Sequence, residues 1–165
     1  MDDKCYLEMC IKLAEENKND ELAISVAAMI VDCSGKIVST GFSRILNGKM
    51  IHAELDAINR AGYIGEESTL YTTLEPCIAV PKKKGVYSNK KKVMDYRGTY
   101  LAKHSCVDHI SSNLIERVVI GAIDPNPWIN GRGFRALCSK GIDVRVIDDF
   151  KDRIISLNPG YFNRK

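Results

Sequence analysis

One histidine, one carboxylate and two cysteines carry the residue types and spacing from which a metal-assisted reaction could be built. His52-Ala53-Glu54 opens a segment of helical periodicity, Pro76-Cys77 closes a β-rich run, and Cys106 opens a further helix. One imidazole and two thiolates suit a borderline-soft ion such as zinc. Three protein ligands leave the fourth tetrahedral position for water, which is the catalytic arrangement and not the closed structural one. Glu54, two residues past His52, falls beside such an open position, where a carboxylate can take a proton from an activated water and hand it to a leaving group. Helix starts, expected at both Cys77 and Cys106, add a partial positive field that favours thiolate over thiol. The same residues have a plainer reading, in which His52 caps or packs a helix, Glu54 is a solvated first-turn acid and the cysteines are small hydrophobes. Spacing leaves both open, because the 28 residues between Cys77 and Cys106 fit no compact finger pattern. His104 and His109 flank Cys106 and read as polar surface or as support for the ligands. Cys5, Cys10, Cys33 and Cys138 have no partner at ligand spacing and read as core thiols.

The elements that must position these residues follow from apolar periodicity. Residues 4–17 predict an amphipathic helix with Leu7, Cys10, Ile11 and Ala14 on one face and Asp2 and Asp3 at its favourable end. Residues 26–31 are apolar throughout, as a central strand is, and the turn Cys33-Ser34-Gly35-Lys36 pairs them with a second strand at 37–42. Residues 48–51 read as a connection. Ile51, Leu55, Ile58 and Ala61 recur at helical spacing up to Gly62. Short strands are expected at 69–73, 117–122 and 143–147, and helices at 106–114, 133–139 and 148–157, the last stopped by Asn158-Pro159-Gly160. Alternation of continuous apolar strands with helices predicts parallel pairing and helices on both faces, an α/β fold in three α/β/α layers.

Composition bounds the rest. With 165 residues, 45% of them hydrophobic and 27% charged, the chain can bury a core without disulfide staples, and six scattered cysteines make no secreted disulfide scaffold. No apolar run approaches the ~20 residues of a membrane span, and the start Met-Asp-Asp-Lys is no signal peptide, so a cytoplasmic protein is expected. The charge is unevenly placed. Residues 78–104 carry seven lysines and one arginine against Asp95, a local +7 in a chain of net +3, so the remainder is mildly acidic at −4. Lys82, Lys83 and Lys84 in this stretch could meet a substrate phosphate. With Tyr87, Tyr96 and Tyr100 interleaved, the stretch could equally hold single-stranded nucleic acid or form a solubilising loop. Asp124-Pro125-Asn126-Pro127 follows a strand, where open α/β sheets place ligands, so Asp124 and Asn126 either line a pocket or build a turn. Trp128 beside them either stacks on a heterocycle or serves packing or a dimer contact.

Four stretches carry a family resemblance: VAAMIVD at 26–32, LYTTLEPC at 70–77, RVVIGAIDPNPWINGRG at 117–133 and LNPGYFNR at 157–164. With His52-Ala53-Glu54 and Cys106 they make the chain resemble the cytidine-deaminase-like superfamily, most nearly the deaminase domain of the riboflavin-biosynthesis deaminase–reductases. The resemblance implies one zinc-dependent deaminase domain over residues 1–165 with a basic insertion at about 78–104, built on a central mixed five-stranded sheet. It implies zinc on His52, Cys77 and Cys106, Glu54 as proton shuttle and the backbone of Ala53 beside the reacting centre. It also implies a homo-dimer or homo-tetramer, with Trp128 and Phe134 near a possible interface. The substrate side departs from the riboflavin pattern. Leu22-Ala23-Ile24 stands where those enzymes have Pro-Asn-Pro, and Phe42-Ser43 where they have Trp-His, which makes Ser43 a changed substrate contact. The long basic stretch replaces their short substrate-gripping loop, and the resemblance lies in their deaminase part. The expected activity is therefore hydrolytic removal of an exocyclic amine from a nucleoside, nucleotide or related pyrimidine, purine or pterin-like heterocycle. The competing reading is a deaminase-fold RNA-binding or assembly protein, or a nucleic-acid-editing deaminase, that uses the basic stretch.

Overall fold

The computed structural model describes residues 1–18, 24–78 and 105–163. The expectations for Lys82, Lys83, Lys84, His104 and most of the basic stretch lie outside those residues. Helix α1 (Asp3–Glu16) begins where the Asp2 side chain accepts the Cys5 N–H at 2.9 Å, a cap typically worth ~1 kcal/mol. Its buried residues Tyr6, Leu7, Cys10, Ile11 and Ala14 recur at helical spacing. Strand β1 (Ala27–Val31) is buried at all five positions and runs antiparallel to β2 (Ile37–Phe42). A small hairpin follows, β3 (Arg44–Leu46) and β4 (Lys49–Ile51), leading directly into helix α2 (Ala53–Ala61). Strand β5 (Ser68–Thr72), helix α3 (Cys106–Ser111), strand β6 (Ile115–Ile120), helix α4 (Arg132–Ser139) and strand β7 (Asp143–Val146) come next. A 3-10 turn at Asp148–Phe150 then leads into α5 (Lys151–Leu157) and α6 (Pro159–Phe162).

The main sheet has the order β2-β1-β5-β6-β7. Pairing is parallel from β5 to β7 but antiparallel between β1 and β2 and between β1 and β5, so the sheet is the expected mixed five-stranded one. Alternation across the strands separates two helical layers. Tyr71 stacks against Tyr6 of α1, and Cys10 points its thiol at the Tyr71 carbonyl, whereas Ser39 and Gly41 face α2. Arg153 of α5 pairs with Glu15 of α1 on the first of these faces. The result is a three-layer α/β/α fold. Cys10 alone of the four additional cysteines is buried. Cys5, Cys33 and Cys138 are exposed, which corrects their reading as core thiols: each falls on the outward side of its helix or turn.

Two features of this frame bear on the cleft described below. The parallel β5–β6 pair brings the loops after both strands to the same sheet edge, where Gly121 N–H donates to Thr72 O and Glu75 N–H to Ala122 O, both at 2.9 Å. At the far end of the chain Asn158 clasps Ser25 just ahead of β1, its Oδ1 accepting the Ser25 N–H and its Nδ2 donating to the Ser25 carbonyl.

Candidate functional site

His52 sits one residue before α2, with extended backbone, and accepts the Asp56 N–H on its carbonyl. Cys77 lies in the loop after β5 and does not start a helix, which corrects that expectation. Space supplies what the local chain does not, because Cys77 rests against the start of α3. Cys106 N–H donates to Cys77 Sγ at 3.4 Å, and Val107 N–H donates to its carbonyl at 3.2 Å. The start of α3 is fixed by a reciprocal cap in which Ser105 Oγ accepts the Asp108 N–H while Asp108 Oδ2 accepts the Ser105 N–H.

Three ligand atoms converge. Cys77 Sγ is 3.7 Å and Cys106 Sγ 3.3 Å from His52 Nδ1, and all three ligand atoms lie within 4.8 Å of one another. Tetrahedral coordination with Zn–S near 2.3 Å and Zn–N near 2.05 Å requires a sulfur–nitrogen edge of about 3.6 Å. The donor set and its spacing therefore fit such an ion. It is the one group of this kind among the described residues, and His109, in the last turn of α3, is not part of it.

The surroundings push the two thiols of the trio in opposite directions. The hydrogen bond from Cys106 pulls the Cys77 thiol well below its usual range, with His52 assisting, and the same bond drives Cys106 well above it. A divalent cation would remove the second proton as well. Glu54 lies behind the thiols, 3% exposed, with Oε2 3.5 Å from Cys106 Sγ and Oε1 3.4 Å from the Thr72 hydroxyl. Burial raises its carboxyl above the ordinary range, opposed by the neighbouring His52.

His52 and Cys77, two of the trio, line a cleft with ≈ 370 Å³ of empty space, part of it open to solvent. Ile24, Val26, Met50 and Leu74 give it apolar walls, while Ser43, His52, Glu54, Glu75 and Cys77 give it polar edges, with Ala53 at the helix start. The sequence reading missed Val26, Met50 and Leu74 as wall residues, because their apolar character is shared with core positions. Ser43 lines the cleft, but its hydroxyl accepts the Val26 N–H and donates to the Ile24 carbonyl, so it fastens the wall to itself.

Asp124 and Asn126 are buried within their own loop. Asp124 Oδ1 accepts the Asn126 N–H and the Tyr161 hydroxyl, and Asn126 Oδ1 accepts the Trp128 N–H. Neither these two nor Trp128, which is half exposed, lines the cleft, and Phe134 packs against the core. Glu75 organises this region. Its carboxylate accepts backbone N–H groups from Asp124, Gly131 and Phe134 at 3.2, 2.9 and 2.9 Å, tying the loop after β6 and the start of α4 to the chain that carries Cys77. Gly133 makes that contact sterically feasible, since a Cβ there would stand 2.1 Å from the Pro76 carbonyl.

A three-layer fold with a His-x-Glu start, two thiols and an adjoining cleft is the arrangement expected of a deaminase-type metal site. Residues 1–122 match the sequence profile of the cytidine and deoxycytidylate deaminase zinc-binding region, and the chain belongs to that family. Within it the chain lies close to the riboflavin-type deaminase–reductases. It is 32% identical over 145 residues to the riboflavin biosynthesis protein RibD of Aquifex aeolicus, covering 87% of this chain and 34% of that protein. It is 29% identical to a diaminohydroxyphosphoribosylamino-pyrimidine deaminase of Buchnera aphidicola, covering 99% of this chain and 96% of the relative. The structure of Acinetobacter baumannii RibD superposes with a TM-score of 0.71 at 25% identity, over 97% of this chain and 39% of that one. The chain thus spans about a third of the length of several curated relatives and nearly the whole of another. No helix among the described residues is long and apolar enough to cross a membrane.

Proposed function

We propose that this chain is a zinc-dependent hydrolytic deaminase that removes an exocyclic amine from a nucleoside, nucleotide or related pyrimidine, purine or pterin-like heterocycle. The observation that carries the reading is the placement of the buried Glu54 carboxylate against a convergent His52, Cys77 and Cys106 trio, beside an apolar-walled cleft that His52, Glu54 and Cys77 line. Those three residues would hold the zinc, which when bound lowers the pKa of a water and so supplies the nucleophile. Glu54 takes a proton from the attacking water and gives it to the ring nitrogen next to the attacked carbon; it then takes the proton of the hydroxyl newly added to that carbon and passes it to the amine, which leaves as ammonia as the carbonyl forms. The apolar walls hold a flat ring and keep bulk water from the reacting carbon. The helix start at Ala53 offers backbone N–H groups beside it. A purely structural metal site has no need of a carboxylate at an open position, so the arrangement favours turnover over an assembly role.

The substrate differs, in this reading, from that of the riboflavin-type relatives. Residues 22–24 and 42–43 depart from their pattern, and Lys82, Lys83 and Lys84 take the place of a shorter loop. A phosphate on the substrate would be met there. Zinc analysis together with ammonia release, measured over amino-pyrimidines, purines and pterins each with and without a phosphate, tests the whole reading. Glu54→Gln is expected to keep one metal per chain and to lose ~10²–10⁴-fold in turnover. Glutamine at 82–84 is expected to raise KM for the phosphorylated forms and leave kcat in place. Near-normal ammonia release by E54Q would overturn the mechanism.

A further inference from the structure

The hairpin β3–β4 joins two parts of the site, since Ser43 of the cleft wall precedes it and His52 follows it. Its base pairs Arg44 with Ile51, the residue next to His52. Arg44 reaches across to Asp56 of α2, Nη2 to Oδ1 at 2.6 Å. The Asp56 side chain is 3% exposed and holds two further groups, with Oδ1 accepting Arg60 Nε at 3.1 Å and Oδ2 the Phe42 N–H at 3.3 Å. Both guanidinium groups also lie 5.5 Å from the centroid of the Phe42 ring. One carboxylate therefore fastens the end of β2, the base of the hairpin and the helix that carries Glu54. A steric contact bears on the same junction. A Cβ at Gly41 would stand 2.4 Å from the Ala53 carbonyl and 2.3 Å from the Ala57 nitrogen, so β2 lies directly against the first turns of α2.

We infer that Asp56 and Arg44 are positioning residues that set the orientation of His52 toward Cys77 and Cys106. The inference rests on the metal-site reading above. Its physical basis is rigidity. β3 and β4 form no part of the main sheet, so on the hairpin side the approach of Ile51 to His52 depends on what holds Arg44, while on the helix side the His52 carbonyl accepts the Asp56 N–H. Loss of the pair leaves the two cysteines in place and lets the imidazole wander. Arg44 is also a poor choice for stability alone, since its Nε is buried with no hydrogen-bond partner among the described residues.

The test uses Co²⁺, whose thiolate charge-transfer absorption reports cysteine ligation, with affinity read by competition against a chromophoric chelator. Wild type, Arg44→Met, Asp56→Asn and Asp3→Asn are compared at a temperature where circular dichroism shows each to be folded. Asp3 serves as control because its ion pair with Arg117 lies on the opposite, α1 face. R44M and D56N are expected to hold Co²⁺ roughly 10–100-fold more weakly than wild type, as changes just outside a ligand shell do. D3N is expected to melt lower with unaltered affinity. R44M keeps the aliphatic stem and leaves Asp56 paired with Arg60, so it retains a folded test case should D56N not fold. Wild-type affinity in folded R44M would overturn the inference while leaving the metal site intact. Absence of thiolate–Co²⁺ absorption in wild type would overturn the metal reading beneath it.

Discussion

Two buried carboxylates near Cys77 have opposite surroundings. Glu75 is occupied by three backbone N–H donors, whereas Glu54 faces thiols and a hydroxyl. A group already occupied by fixed donors is poorly placed to exchange protons with a substrate, which under the proposed reading leaves that work to Glu54 while Glu75 holds the loops. Ser43 belongs with Glu75 in this respect. Its hydroxyl bridges Val26 N–H and Ile24 C=O, and Ser43→Ala would leave both buried groups unpaired, at about 1–3 kcal/mol for each unsatisfied group. Thermal melts should register a midpoint lower by roughly 2–4 °C for each kcal/mol lost. An unchanged midpoint with a raised KM would make Ser43 a substrate contact and not a clasp.

Elements decide whether these residues meet. The loop after β6 and the start of α4 are attached to the Cys77 segment through Glu75 and through the close approach of Gly133 to Pro76. Glu75→Gln keeps the shape but turns one acceptor oxygen into a donor facing backbone N–H groups. It is expected to lower stability and to speed amide hydrogen exchange over 124–134, with the central strands unaffected; uniform exchange across the chain would argue against so local a role. Most of this architecture is legible in the sequence, because long periodic segments such as 4–17 and fully apolar ones such as 27–31 leave little choice of element. The hairpin at 44–51 is not. Its strands are three residues long and half exposed, and their only marker is the Asn47-Gly48 pair, both with positive φ, as a tight hairpin turn demands. The antiparallel join of β1 to β5 is equally invisible, since a strand buried on both faces reads the same in either direction. Of the site, His52, Glu54 and the two cysteines stand out by residue type. Asp56 and Arg44 do not, because on sequence alone a helix acid and a strand arginine read as solvated surface.

Across the whole molecule, a charge network on the α1 face closes the sheet. Asp3 accepts from Arg117, Arg145 and the Tyr71 hydroxyl. The Arg117 hydrogen bond holds the Asp3 carboxyl below its usual range, against the opposing effect of burial. A carboxyl with a depressed folded pKa stabilises fully above its unfolded value, near 3.9, and loses that contribution as pH falls through the folded value. Wild type is therefore expected to melt above Asp3→Asn at neutral pH, the gap narrowing below about pH 4. Denaturation midpoints taken from pH 7 to pH 2 would show it, and a gap independent of pH would remove the ionic origin. The clasp between Asn158 and Ser25 has a consequence on another timescale, that of biosynthesis. The cleft wall beginning at Ile24 gains this clasp, in addition to the Ser43 hydroxyl, only after Asn158 has been made, and His52, Cys77 and Cys106 all precede it in synthesis. At ordinary elongation rates roughly 3–10 s separate the appearance of Cys106 from that of Asn158. For most of that interval β7 has not been made, so two nucleophilic thiols have no finished sheet to shelter them. Under the proposed metal reading, maturation of the site thus begins with the reductant and free metal that the growing chain meets, before the folded protein is complete.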